Sequence, residues 1–516
     1  MMHHIINLFG NLLAPAAQNF FHALDNPQKM QQSVQQEIVY RLAKSEYGKS
    51  LGINSIAADW HHIPIVEYQD IHEWVEKQKK TKAPILTPDP ILFYEKTSGS
   101  SGAAKWIPYT QSLRSSFNHM FCVWAHDLIQ HGPKFSTGKI YFCISPQLGN
   151  DATAESGVKV GLKDDSEYLD GWLRQFLSPF LVSPPGINSL RNPEDFKNKL
   201  SQTLLLEENL EIISIWSPTF LKVHLDYIQE HQKRLVSELG NKLSVERQKL
   251  LLKPEIPWTK LWRELKLISC WDSGNAADGA GFLRSLFPGV TIQGKGLLAT
   301  EAPITIPLIA AQGCVPLLDE VFFEFADENG NIHSLHELEM GNVYKIIISQ
   351  KGGLYRYRIG DRVRVTHFYK NTPCLEFLGR SEEISDLVGE KLHSEFVREI
   401  IESLPLEGTF FKSLVPATSP QEHYILLLDT AKQPADAIAR QLDDALMRSH
   451  HYKKARLLGQ LSPVRVLVSR QIPETLTMYK TQSGSKWGDL KHQLLVTNPI
   501  EEKLLVELEK LSYTVV

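Results

Sequence analysis

Residues 94–110 read YEKTSGSSGAAKWIPYT, with Gly99 and Gly102 set among the hydroxyls of Thr97, Ser98, Ser100 and Ser101 and closed by Lys105. Glycine lets a backbone approach a ligand closely, and exposed N–H and hydroxyl donors together with one ammonium can cradle phosphate oxygens. The spacing is not that of GxxxxGK[ST], so the stretch is no Walker A loop. On composition alone, a Ser/Gly-rich surface turn is an equal alternative. The other reactive residue types form no comparable constellation. Cys270 has no assigned histidine partner and is a poor nucleophile candidate. The pairs His61-His62 and His450-His451 have no metal-like arrangement and read as surface residues.

The order of several segments decides between the two readings of the loop. TSGSSGAAKWIPYT resembles the phosphate-binding motif of the adenylate-forming superfamily of acyl and aryl ligases. The trailing IPYT is similar to one branch, the acyl acid amido synthetases that conjugate auxin and jasmonate in plants. Upstream lie IPIVEYQDIHEWVEKQ and APILTPDPILFYEK; downstream come GLLATEAPI, FFEF, GGLYRYRIGDRVRV and FLGRSEE, in that family's order. The likeness spans roughly residues 60–390.

The resemblance implies a set of site residues. Thr97, Ser98, Gly99, Ser100, Ser101, Gly102 and Lys105 would surround the ATP phosphates, with Lys105 catalytic. In LLATE, Leu297, Thr300 and Glu301 would border the nucleotide, and Glu301 would hold Mg²⁺ between phosphate oxygens, a role suited to a hard oxygen donor. Family members usually carry a tyrosine where this chain has Leu297, so apolar contact replaces ring stacking on adenine. Asp361 would accept hydrogen bonds from the ribose hydroxyls, and Arg380 would lie near the ribose and a hinge. Lys480, in TLTMYKTQSGSKWGD, is the candidate catalytic lysine of a mobile C-terminal domain, with Lys486 and Lys491 as alternatives. The family's following proline and arginine are replaced here by Gln482 and Ser483. Trp216, Phe220, His224, Cys270 and Trp271 fall where an acyl pocket would be lined, although core packing explains them equally well.

The elements that must position these groups can be read from hydrophobic period. Asn26-Pro27 signals a helix start, and the helical pattern runs on to about Tyr47, stopping at Gly48. Leu113, Phe117, Phe121, Trp124 and Leu128 recur at helical spacing after the loop. KIYFCIS, LEIISIWS and the end of WTKLWRELKLISC read as buried strands. From VFFEFAD to VRVTHF, short strands separated by DENGN and KGG turns predict an antiparallel region. Further on, HYILLLD and VRVLVS flank the helical PADAIARQLDDALMRS, and IEEKLLVELEKL follows. The expected fold is α/β: a large N-terminal adenylate-forming body of mixed sheets and helices, residues 1–380, and a small α+β C-terminal domain, residues 381–516.

Bulk properties narrow the partners. With 516 residues, 42% hydrophobic and 22% charged, the chain has the composition of a multidomain globular protein. A net charge of −4 lacks the basic footprint of a nucleic-acid binder. Five scattered cysteines without a CxxC pair point to a reducing compartment, and the cytoplasm is the expected location. The apolar start, MMHHIINLFGNLLAPAAQNFF, lacks a basic n-region and reads as an amphipathic helix; no membrane partner is expected. The expected activity is ATP-dependent: a small-molecule carboxylic acid becomes an acyl-adenylate, and an amine, most simply an amino acid, takes the acyl group as an amide. Two alternatives are a thioester-forming acyl-CoA or carrier-protein ligase and a non-catalytic nucleotide-binding homologue.

Overall fold

Apolar runs without polar alternation need cover on both faces, and they form the central parallel sheet of the body. Its strands lie in the order Lys139–Phe142, Leu210–Ser214, Leu267–Cys270 and Thr291–Gly294, each parallel to the next. The helices Pro193–Leu206, Pro218–Glu230 and Ala277–Leu286 pack on it through Phe196, Leu200, Leu221 and Leu283. The coordinates are a computed structural model describing residues 2–96, 105–143, 152–160, 169–184, 186–187, 190, 192–380, 384–482, 490 and 492–512. The segment 97–102, named above for the phosphates, lies outside the described residues, as do Lys486 and Lys491.

The strands on either side of that segment are well defined. Ile91–Lys96 and Trp106–Thr110 pair antiparallel with Lys96 opposite Trp106, so both ends of the glycine-rich stretch are held side by side. Thr110 then caps the helix Gln111–His131, its Oγ1 accepting from Leu113 N at 3.1 Å. The helix Met2–Ala23 lies against Gln111–His131 through Phe9, Leu13, Phe121 and Ala125, which makes the apolar start part of the core. No helix among the described residues is long and apolar enough to cross a membrane.

The antiparallel region is a five-stranded sheet in the order Ile332–Ser334, Phe322–Ala326, Val343–Gln350, Leu354–Tyr369, Thr372–Arg380. Gly330 and Gly353, with φ of +85° and +111°, supply the left-handed backbone that the DENGN and KGG turns require. The segment IPIVEY docks on the long strand: Val66 N donates to Arg356 O and Arg358 N donates to Val66 O. Arg356 itself is buried, bonding Glu324 through two nitrogens at 2.8 and 2.9 Å and Ile63 O at 2.8 Å.

Residues 412–468 supply a separate three-stranded sheet, Lys412–Ala417 antiparallel to His423–Leu428, which runs parallel to Arg465–Val468. HYILLL is buried at every position because helices cover both faces. Leu426 and Leu428 meet Ser394–Ser403 and Ala435–Leu446, while Ile425 and Leu427 meet Ile472–Gln482 and Glu502–Leu511.

One expected element is broken. The helix opened by Asn26-Pro27 ends at Ala43, and a short second helix, Glu46–Ser50, follows. Ser45 accepts from Gly48 N at 2.9 Å as a new N-cap, and the amides of Glu46 and Tyr47 turn to the carbonyls of Pro84 and Ile85. The irregular segment at Pro84-Ile85, distant in sequence, takes up the amides that would otherwise continue the first helix.

Candidate active site

A cavity of about 1450 Å³ lies between the body and the C-terminal unit. It gathers Lys105, Trp216, Trp271, Leu297, Thr300, Glu301, Asp361, Arg380 and Lys480 on one continuous surface. Residues some 375 positions apart (105 to 480) therefore share one space.

Each polar member is fixed by its local structure. Thr300 and Glu301 form the turn between Leu298–Ala299 and Ala302–Pro303, and Tyr109 Oη donates to Thr300 O at 2.7 Å. The IPYT tail thus ties the Glu301 turn to the hairpin carrying Lys105, while its threonine caps the next helix. Trp106 N donates to Tyr68 Oη at 2.8 Å, and the Lys105 ammonium lies 5.8 Å from the centre of the Tyr68 ring. Asp361 follows Gly360, whose φ is +86°, and stands directly opposite Arg380 across the strand pair. Arg380 Nε donates to Asp361 Oδ1 at 3.2 Å, with the carboxylate side chain 6% and the arginine side chain 40% exposed. The arginine end of the pair faces solvent and the carboxylate end is held.

Electrostatics link these groups. Glu301 is 4% exposed, and burial holds its carboxyl above the usual range. Arg380 and Lys105 pull it down, whereas the neighbouring Asp361 pushes it up. A carboxylate so placed gains from a cation, which tests the fit of a divalent metal. Among the described residues no three potential ligands cluster, but Mg²⁺ takes one or two carboxylates and completes its shell with phosphate oxygens and water. Glu301 alone meets that requirement.

The same cavity is lined by the apolar side chains of Phe117, Phe121, Phe142, Leu181, Trp216 and Trp271. Trp271 N donates to Trp216 O at 2.8 Å, and the two rings lie 5.9 Å apart. Lys480, in the last turn of Ile472–Gln482, reaches the same cavity from the C-terminal unit, and burial lowers its pKa. Lys412–Asp278 at 2.9 Å, Lys197–Glu474 at 2.5 Å and Arg398 donating to Gly274 O at 3.3 Å join the two units around it.

The chain matches the GH3 family N-terminal domain over residues 16–292, the central domain over 314–380 and the C-terminal domain over 392–500. It belongs to the GH3 family. Among curated relatives, the indole-3-acetic acid-amido synthetase GH3.15 of Arabidopsis thaliana is 23% identical over 80% of this chain and 79% of its own length. The 4-substituted benzoates-glutamate ligase GH3.12 of the same plant is 20% identical over 90% of this chain and 92% of its own. The solved structure of the AtGH3.15 acyl acid amido synthetase in complex with 2,4-DB superposes with a TM-score of 0.79 at 19% identity, covering 97% of this chain and 96% of that one. A 2-hydroxyisobutyryl-CoA ligase in the postadenylation state superposes at 0.52 and 12% identity, covering 94% and 91%. The fold of this GH3 protein is therefore that of the adenylate-forming ligases.

Not every residue read as pocket-lining reaches the cavity. In this GH3 chain Trp216 and Trp271 do, each just beyond the carboxyl end of a parallel strand, where open α/β sheets bind ligands. Phe220, His224 and Cys270 do not, which corrects the expectation that they line the acyl pocket. Phe220 and His224 lie one helical turn apart on Pro218–Glu230, with ring centres 4.7 Å apart, and pack on Phe196 of the helix Pro193–Leu206. Cys270 points into the layer between sheet and helices, where burial pushes its thiol up to about 12. Conversely, sequence reasoning missed Tyr68, the hydroxyl anchor of the Lys105 strand, and Lys295, which lies in the wall beside Trp216. Lys295 sits two residues before Leu297, so proximity to the LLATE motif was the available signal.

The buried imidazoles carry a pH dependence. Burial pushes His224 and His492 from 6.5 down to about 3, with a further push from Lys197 on the first and Lys480 on the second. Unfolding lets each bind a proton, so stability is whole above the ordinary imidazole range and falls as pH drops from 6.5 toward 3. The slope is ~1.4 kcal/mol per pH unit for each histidine. Urea unfolding across that range should show the loss, and His224→Phe should flatten the slope by one histidine's share; an unchanged slope would refute the assignment.

Proposed function

We propose that this GH3 protein is an ATP-dependent acyl acid amido synthetase with a small carboxylic acid and an amino acid as substrates. One observation carries the reading. A single cavity is lined by Lys105, by the buried carboxylates of Glu301 and Asp361, and by the aromatic rings of Phe117, Phe121, Trp216 and Trp271. The names of the amido synthetase relatives support it.

In the first step the substrate carboxylate oxygen attacks the α-phosphorus of ATP, and pyrophosphate leaves. Lys105, with segment 97–102, balances charge on the phosphoryl oxygens, and Asp361 accepts from the ribose hydroxyls. Leu297, buried and anchored by its N–H on Thr305 Oγ1 at 2.7 Å, gives an apolar surface for adenine. Mg²⁺ bound by Glu301 and the phosphates would supply further charge neutralisation. In the second step the amine nitrogen attacks the adenylate carbonyl, the C–O bond to AMP breaks and the amine loses a proton. The mixed anhydride is already a good electrophile, so no enzyme nucleophile is needed. Residues 381–516 act as the mobile unit that brings Lys480 to the phosphates and withdraws it. Pyrophosphate release from ATP across a panel of aromatic and aliphatic carboxylic acids tests the first step; release with none of them would refute the reading.

A further inference from the structure

The helix that carries Lys480 is held to the body at its other end. Glu474 lies in the first turn of Ile472–Gln482 and Lys480 in the last, ~9 Å further along the axis. Glu474 Oε1 accepts at 2.5 Å from the ammonium of Lys197, on the body helix Pro193–Leu206. Neither residue lines the cavity. The Lys197 side chain is 6% exposed, and its ammonium lies 5.2 Å from the centre of the Tyr227 ring. The same ammonium pairs with Glu194, one turn back on its own helix. Burial pulls its pKa down, but the two carboxylates together hold it above the ordinary lysine value. Both carboxylates reach solvent, Glu194 at 60% and Glu474 at 37% exposure.

We infer that Lys197 and Glu474 are positioning residues for the first half-reaction. Their ion pair is a releasable latch that holds the Lys480 helix in its cavity-facing pose, and Glu194 is what makes it releasable. This rests on the amide-forming reading above, in which residues 381–516 move between the two steps. A buried ammonium left without a partner is strongly unfavourable. When the C-terminal unit turns away, Glu474 leaves with it and takes up water, while Lys197 stays behind in the body. Glu194 stays too, three residues away on the same helix, so the ammonium keeps a countercharge. The pair therefore sets the pose without locking it. Removing the two carboxylates one at a time has opposite consequences. Without the Glu474 charge, Lys197 is satisfied inside the body and the Lys480 helix loses its latch. Without the Glu194 charge, Lys197 depends on Glu474, and release leaves a buried cation with no carboxylate. Two further contacts between the units, Lys412 with Asp278 and Arg398 with Gly274 O, involve neither carboxylate.

Glu474→Gln and Glu194→Gln test this, since both side chains reach solvent and neither change empties a core. The readout is the ratio of amide formation from supplied adenylate to adenylate formation from ATP and acid, measured by rapid quench. That ratio follows the balance between the turned-away and cavity-facing poses. Glu474→Gln should raise it about fivefold, the size of a partly exposed ion pair, and Glu194→Gln should lower it. A pair that only stabilised the fold would lower the melting temperature and leave the ratio alone. The same shifts should appear without substrates, in single-pair fluorescence energy transfer between dyes on unnatural amino acids at the exposed Val245 and Leu457. There the separated population should rise in Glu474→Gln and fall in Glu194→Gln. Both variants moving the same way, or neither moving, overturns the latch. If no acid stimulates pyrophosphate release, the amide-forming reading falls, and the fluorescence populations still decide the latch.

Discussion

Lys105→Ala should lower acid-dependent pyrophosphate release about a hundredfold, corresponding to ~3 kcal/mol of transition-state stabilisation. The substitution leaves the scaffold intact, since the Lys96–Trp106 register and the Trp106–Tyr68 hydrogen bond depend on backbone atoms and on Tyr68. It removes the ammonium that faces the cavity beside Glu301 and lowers that carboxyl's pKa. Loss of this charge therefore has two consequences of the same sign. The phosphoryl oxygens lose their countercharge, and Glu301 becomes harder to ionise for metal binding. Steady-state pyrophosphate assays with a verified acid check the effect; a rate equal to wild type would remove Lys105 from the site.

The second large effect belongs to the C-terminal unit. Lys480→Ala should depress acyl-adenylate formation about a hundredfold and spare amide formation from supplied adenylate. Lys480 reaches the cavity from Ile472–Gln482, a helix held to the body by the Glu474–Lys197 pair. Burial disfavours its charge in the protein alone, and an incoming triphosphate supplies the anion that restores it. Such a lysine contributes where the phosphates are, which is the first half-reaction. Rapid-quench measurement of the two half-reactions separates the cases. Equal loss in both would mean that the lysine serves the interface between the units, and loss in neither would assign the role elsewhere.

How much of this was legible in the sequence depended on whether the information was local. Gln111–His131 was readable because Leu113, Phe117, Phe121, Trp124 and Leu128 repeat at helical period. The same period did not tell core from cavity: Phe117, Phe121 and Trp124 border the site, while Leu113 and Leu128 pack inside. A buried face and a ligand-facing face are equally apolar, so the pattern is the same for both. For that reason the sequence left Phe220 and His224 open between pocket and core; they pack on Phe196. The break at Lys44-Ser45 was invisible because backbone bonds to Pro84 and Ile85, distant in sequence, create it. Motif order, by contrast, singled out Lys105, Glu301, Asp361 and Arg380, which line one cavity because short turns and strand register fix them: Glu301 in a two-strand turn, Asp361 opposite Arg380.

The central claim is that an acyl-adenylate made in this cavity is passed to an amine. The direct measurement is mass spectrometry of the products formed from ATP and the best-activated acid in the presence of a mixture of amino acids and coenzyme A. The account predicts AMP, pyrophosphate and an N-acyl amino acid in equal amounts, with little thioester. A thioester as the main product, or adenylate that accumulates with no amide at any amino acid concentration, would contradict it.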